Sequence, residues 1–232
     1  MKIIKILHIG DMQNGFTQKN GNLYVKGAQD IISPTNVFLN QVCDRVFDHT
    51  FIILDTHFAE EYHQSEEGKI FPIHCEYGTT DWELSVEVSG LPNKQYLTKN
   101  QFNMWGEKSV QDILFTTPQR KMAYDMLFHV VDDPNAPTRH MPRDECIRAI
   151  SSGYNGATIE VTMIGVASDF CIRYAVEGWL VRGARVTIIH DLTKGIEKET
   201  FQVLEEERYH QYASDRLRAV TSTEFLASLH RR

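Results

Sequence analysis

The sequence has no cluster of basic residues, no C-x-x-C pair and no apolar stretch long enough to cross a bilayer. Each absence closes a class of function. Lys and Arg number 24 against 31 Asp and Glu, a formal net charge of −7, so no face is expected to neutralise nucleic-acid phosphate or anionic lipid. Four cysteines, Cys43, Cys75, Cys146 and Cys171, stand at wide, irregular spacings that suit neither a zinc knuckle nor a disulfide framework. The first apolar run, "IIKILHI", is too short for a membrane span, is followed closely by Asp11 and carries no small-residue cleavage site. These features predict a cytoplasmic protein with reduced thiols that acts on a small molecule. At 232 residues of ordinary composition, a single domain spanning 1–232 is expected.

Four β-branched, apolar segments are present: "IIKILHI" (3–9), "TFIIL" (50–54), "IEVTMIGV" (159–166) and "RVTII" (185–189). Unbroken runs of this kind read as strands buried on both faces. Helical spacing lies between them. Ser33 and Pro34 read as an N-cap and first turn ahead of Leu39, Val42, Cys43 and Val46. After Cys171, the residues Ile172, Ala175, Val176, Trp179 and Leu180 keep a helical period that Gly183 stops. The expected fold class is therefore α/β, a three-layer sandwich in which helices cover both faces of a mainly parallel sheet.

Each run ends in polar residues: Gly10 and Asp11, then Asp55, Thr56 and His57, then residues 167–171, then His190 and Asp191. Ligands of open α/β sheets bind outside the carboxyl ends of the strands, which predicts that these residues share one crevice. Cys171 starts a helix, where the dipole and free N–H groups lower a thiol pKa and can receive an oxyanion. On these grounds it is expected to titrate low. Asp55 and His57 point the same way at a strand end, with His63 and His74 on the loop that follows. One carboxylate with imidazoles suits a borderline divalent ion: Zn, Mn or Fe. Phe16, Phe71, Phe102 and Trp105 lie close in sequence to these groups and could grip a flat ring.

Taken together, "DMQNGF" (11–16), "DTHFAEEYH" (55–63), "FPIHCEYGT" (71–79), Lys99, "GVASDFCIRYA" (165–175) and "VTIIHDLTKGI" (186–196) resemble the nicotinamidase branch of the isochorismatase-like cysteine hydrolases. The resemblance implies a catalytic triad of Asp11, Lys99 and Cys171. It also implies a cis peptide before Ala167 and an oxyanion hole formed by the amides of Ala167 and Cys171. Asp55, His57 and His74 would hold a divalent metal ion, zinc foremost, with His63 matching a further ligand of some members. The implied activity is hydrolysis of nicotinamide to nicotinate and ammonia, a step of nicotinamide salvage; other relatives cleave different amides, ureas or a vinyl ether. Two departures stand out: Phe71 replaces a Trp common in that branch, and Gly15 an acidic residue. The stretch 116–150 matches no family motif and reads as an insertion over the surface. Its apolar Met122, Met126, Leu127 and Phe128 suit access to the site or contact in a homo-oligomer.

Overall fold

A computed structural model describes residues 2–42, 46–108, 110, 113–152 and 157–229; Cys43 lies outside them. Eight strands form one sheet in the order β5-β4-β3-β2-β1-β6-β7-β8. They are β1 (Ile3–Gly10), β2 (His49–Asp55), β3 (Lys94–Lys99), β4 (His129–Val131), β5 (His140–Pro142), β6 (Thr158–Val166), β7 (Arg185–Lys194) and β8 (Leu217–Val220). All neighbours pair parallel except β3 with β4 and β4 with β5. The expected α/β architecture is observed.

The two-residue alternation of the strands sorts their side chains into two cores. Ile4, Ile6, Phe51, Ile53, Val161, Met163 and Ile188 share one face with α5 (Arg143–Ser152), α6 (Cys171–Val181) and α7 (Thr200–Leu204). Leu7, Ile9, Ile52, Leu54, Ile164, Val166 and Ile189 share the other with α1 (Asn14–Thr17), α2 (Ala28–Val42) and α8 (Ser222–Leu229). The chain leaves β1 toward β2 on one side and later returns to β6 on the other, so β1 marks a reversal of strand order. A crevice opens at such a point at the carboxyl ends of the strands. There β1 and β6 approach closely: Gly10 pairs with Gly165, which has φ +124°, and a Cβ on Gly165 would lie 1.9 Å from the Gly10 carbonyl oxygen. Only glycine fits. Among the described residues, no helix is long and apolar enough to cross a membrane.

Three details depart from the sequence reading. Helix α2 begins at Ala28, ahead of Ser33, and carries Pro34 inside it. Pro34 and Asp30 are both exposed, so the proline interrupts the helix ladder on its solvent side. Strand β7 runs past Ile189 to Lys194, so His190 and Asp191 do not reach the crevice. The His190 ring lies 4.6 Å from that of Phe201, and the Asp191 carboxylate accepts bonds from the Ser222 amide and hydroxyl, both 2.7 Å, at the start of α8. The segment 116–150 is not a surface excursion. It holds α4 (Pro118–Asp125), both antiparallel strands and α5, and it buries Tyr124, Leu127, Phe128, Val130, Cys146 and Ile147, while Met122 stays exposed.

Helix α6 is anchored by Trp179, which has no exposed surface and packs on Phe51 and Trp105. Trp179→Ala should destabilise the chain by about 3–5 kcal/mol. Its denaturant midpoint, compared with that of the native sequence at equal slope, is the measurement; an unchanged midpoint would contradict this packing.

Candidate active site and metal centre

Four strand ends meet in the crevice. Asp11 follows β1, Asp55 ends β2, Lys99 ends β3, and Cys171 opens α6 just after β6. Strand register brings the second and third together, since Asp55 pairs with Lys99 across β2 and β3. The turn between β6 and α6 contains the cis peptide Val166–Ala167 that the resemblance implies. It is pinned from below: the Asp169 carboxylate accepts the amides of Ile196, Glu197 and Lys198 at 2.7–2.9 Å, and the Ser168 amide donates to the Lys194 carbonyl at 2.9 Å. Among the described residues, no acceptor is seen for the amides of Ala167 and Cys171, so both are free to bind an oxyanion.

Lys99 is the hub. Its side chain is buried, and its Nζ lies 3.0 Å from Asp11 Oδ2, 3.0 Å from Asp55 Oδ1 and 3.4 Å from Cys171 Sγ. Burial opposes its charge, yet the two carboxylates hold it protonated, far above the ordinary lysine value. Burial raises the Asp11 carboxyl to about 6, with Lys99 pulling against the rise and Asp55 adding to it. Asp11 has φ +50°, and neither of its oxygens accepts a well-directed hydrogen bond among the described residues; the Lys99 contact is an ion pair without good donor geometry. Burial also pushes the Cys171 thiol well up, reinforced by Asp11, Asp55 and Glu67 and opposed by Lys99. Burial and these carboxylates therefore oppose the low thiol pKa expected from the helix start. The dipole of α6 and one ammonium do not outweigh desolvation beside three carboxylates.

Beyond Asp55 lies a second group. Asp55, His57, Glu67 and His74 are all buried, and each turns one donor atom inward, all within 4.8 Å of one another. Asp55 Oδ2 lies 3.1 Å from both His57 Nε2 and His74 Nε2, and Glu67 Oε1 lies 3.3 Å from His74 Nε2 and 3.8 Å from His57 Nε2. Outside this group, the Pro72 carbonyl at 2.8 Å and the Tyr62 hydroxyl at 3.2 Å fix His74 Nδ1, an outer shell that orients a metal-binding imidazole. Two imidazoles and two carboxylates fit a divalent ion such as zinc. The electrostatics agree: burial alone would lower the His74 pKa, yet Asp55 and Glu67 raise it to about 10, so the group attracts positive charge.

The structure brings together Asp11, Lys99, Cys171, Asp55, His57 and His74. His63, offered as a further ligand, is exposed and stands outside this group, whose fourth member is Glu67. Glu67 was missed because "SEEGK" reads as a solvated acidic stretch. It is turned inward by the 3-10 turn Glu67–Lys69, where the Gly68 amide donates to Ser65 Oγ at 2.9 Å. Of the aromatics, Phe16 meets His74 edge-on at 5.2 Å, and Phe71 and Phe102 pack with Phe170 at centroid distances of 5.2–6.0 Å. Phe170 was overlooked beside its neighbour Cys171. Trp105 is elsewhere: it stands edge-on to Trp179 and donates to the Ala175 carbonyl, with Arg182 over its ring at 3.7 Å.

The isochorismatase domain, as a family, matches residues 5–120. The nicotinamidase/pyrazinamidase of Mycobacterium tuberculosis (strain ATCC 25618 / H37Rv) is 24% identical over 202 residues, 85% of this chain and 90% of that protein. Among solved structures, the pyrazinamidase of Pyrococcus horikoshii in complex with zinc superposes with a TM-score of 0.61 at 21% identity, over 94% of this chain and 98% of that one. PnC1 from L. infantum in complex with nicotinate gives a TM-score of 0.60 at 18% identity, over 96% of each chain. At these identities the superpositions speak for the fold.

The thiol's surroundings set its reactivity. In chelator-treated protein, iodoacetamide should alkylate Cys171 slowly at neutral pH and faster as the pH rises. A divalent ion added back should speed the reaction at fixed pH, because it cancels the fields of Asp55 and Glu67. Peptide mass spectrometry reads both effects, with Cys75 and Cys146, also raised by burial, as internal comparators. Rapid labelling of Cys171 at neutral pH without metal would contradict this account.

Proposed function

The chain belongs to the isochorismatase family of hydrolases, and from that membership and the geometry above we propose that it is an amidase cleaving nicotinamide to nicotinate and ammonia. The observation that carries the reading is the placement of one buried ammonium, Lys99, within 3.0 Å of Asp11 and of Asp55 and 3.4 Å of Cys171. Beside it stands a donor set suited to a divalent ion. A base, a nucleophile and a charge that steadies both are thereby within reach of one carbonyl carbon.

In this mechanism Cys171 Sγ attacks the amide carbon as its proton moves to Asp11. With the thiol raised and Asp11 near 6, the transfer is uphill on its own and proceeds in step with formation of the S–C bond. The amides of Ala167 and Cys171 receive the oxyanion. Asp11 then protonates the leaving nitrogen, the C–N bond breaks, and a thioester remains. Water adds to the thioester, its proton passing to Asp11; the S–C bond breaks and Asp11 returns a proton to sulfur. Lys99 holds Asp11 in place throughout. Phe71, Phe102 and Phe170 offer apolar surface to the flat ring, with Phe16 behind His74. Held by Asp55, His57, Glu67 and His74, a divalent ion would supply a Lewis acid for the ring nitrogen of the substrate.

Release of ammonia from nicotinamide tests the reading directly. Cys171→Ala should abolish release while nicotinamide still binds, because no ring contact is altered. Benzamide has the same shape without the ring nitrogen and should lose about a hundredfold or more in kcat/KM, the loss expected when a buried polar partner goes unmatched. Chelation or His57→Ala should cut turnover severely. Equal rates on the two amides would move the substrate to another amide of the family.

The pH profile follows from Asp11. Its carboxyl is raised from the ordinary aspartate value to about 6, and the base acts only when ionised, so kcat/KM should rise with pH through about 6. An acid limb near pH 4, as for an exposed aspartate, would contradict the rise of the Asp11 carboxyl in the working enzyme.

A further inference from the structure

We propose that Arg120 is a positioning residue for the metal centre, clamping the two loops that carry its imidazoles. The proposal rests on the reading of Asp55, His57, Glu67 and His74 as metal ligands. His57 and His74 lie on separate segments joined by a two-bond bridge: the His57 amide donates to the Cys75 carbonyl at 3.1 Å, and the Tyr77 amide donates to the His57 carbonyl at 2.9 Å. The guanidinium of Arg120 spans the same junction from the outer side. Its Nε donates to Glu60 Oε1 at 2.9 Å and its Nη2 to Glu60 Oε2 at 2.7 Å, a fork on α3 (Ala59–Tyr62), which follows His57. The same Nη2 donates to Glu76 Oε1 at 2.9 Å, and Nη1 donates to the Tyr77 carbonyl at 3.2 Å, both just beyond His74.

One side chain therefore binds the segment after each imidazole. No lysine could do this: a point charge lacks the planar fork that meets a carboxylate on two atoms while reaching a second carboxylate and a carbonyl. The clamp is itself backed. Thr116 donates its amide and hydroxyl to Glu60 Oε1 at 3.3 and 2.9 Å. The guanidinium lies 5.5 Å from the ring of Phe58, which is fully buried next to His57 and packs against Ala123, Tyr124, Leu127 and Phe128. Arg120 sits on α4, so this helix holds the metal loops in register from behind. Outer groups that orient metal ligands typically alter metal affinity by about 10–100-fold when removed.

The test measures zinc affinity of the full chain, stripped with chelator and titrated against a chromophoric competitor. Arg120→Met should weaken zinc binding by about 10–100-fold, and Arg120→Lys should restore only part of it. Glu76→Gln, which loses one arm of the clamp and keeps the Glu60 fork, should give a smaller loss and serves as the working variant if Arg120→Met does not fold. The melting temperature of each stripped variant is recorded alongside, because a purely structural role lowers it and leaves the zinc affinity of the folded protein unchanged. Native affinity in folded Arg120→Met, or in Glu76→Gln where the former does not fold, overturns the clamp alone. A native chain that takes up no zinc overturns the metal reading and the clamp with it.

Discussion

The site depends on one buried cation. Lys99 is placed where solvation is lost, and a buried ammonium persists only with close, well-directed partners. Asp11 and Asp55, each 3.0 Å away, supply them. The accounting does not end there, because Glu67 is buried on the far side of Asp55. Three carboxylates of the site face one ammonium, with a fourth, Glu61, buried beside them against Asn100, so negative charge is in excess when all are ionised and the imidazoles neutral. The chain answers in two places: Asp11 rises to about 6, and His74 rises to about 10. A divalent ion among Asp55, His57, Glu67 and His74 would offset this excess, a physical argument for the donor set independent of any resemblance.

The topology explains how so much charge gathers at one point. Parallel strands leave all their carboxyl ends on one side, and the reversal of strand order at β1 opens a crevice there. Asp11, Asp55, Lys99 and Cys171 each lie at or just beyond the end of a different strand. Strand register fixes their relative heights, and the contact of Gly165 with Gly10 draws β6 close enough to set the Cys171 turn beside Asp11. Hydrophobic packing of both faces thus positions a polar site that no single local segment could hold.

Much of this was legible because it is written locally. An apolar run followed at once by Asp, Asp-x-His or a Cys-initiated helix is a strand end that carries chemistry, and three of the four site strands announce themselves this way. β3 does not: "KQYLTK" alternates too weakly to read as a strand, so Lys99 was marked by resemblance and not by pattern. Glu67 and His63 show the limit of proximity in sequence. Both follow His57 on the same loop, and only the short turns at 59–62 and 67–69 decide which points inward. Trp105 and Phe170 exchange places for a similar reason. The bare Cα of Gly178 on α6 draws the indole of Trp105 onto the helix, leaving Phe170 to complete the cluster with Phe71 and Phe102. Segment 116–150 reads as an excursion because strands of three residues leave almost no period to detect.

The two halves of the site are coupled through a single carboxylate. Asp55 turns Oδ1 to Lys99 and Oδ2 to both imidazoles, so the negative charge it offers to one side is withdrawn from the other. Positive charge gathered among His57, Glu67 and His74 weakens the hold of Asp55 on Lys99 and leaves more of the ammonium's field to Asp11 and Cys171. In a water-poor site that shift is screened weakly. It acts on the thiol in the direction opposite to burial, which is the strongest force raising its pKa. A thiol that burial holds protonated would thereby be brought closer to ionisation by positive charge in the neighbouring group. On the proposed reading the buried acidic cluster would do more than hold an ion: it would make the reactivity of Cys171 conditional on the charge that Asp55 shares.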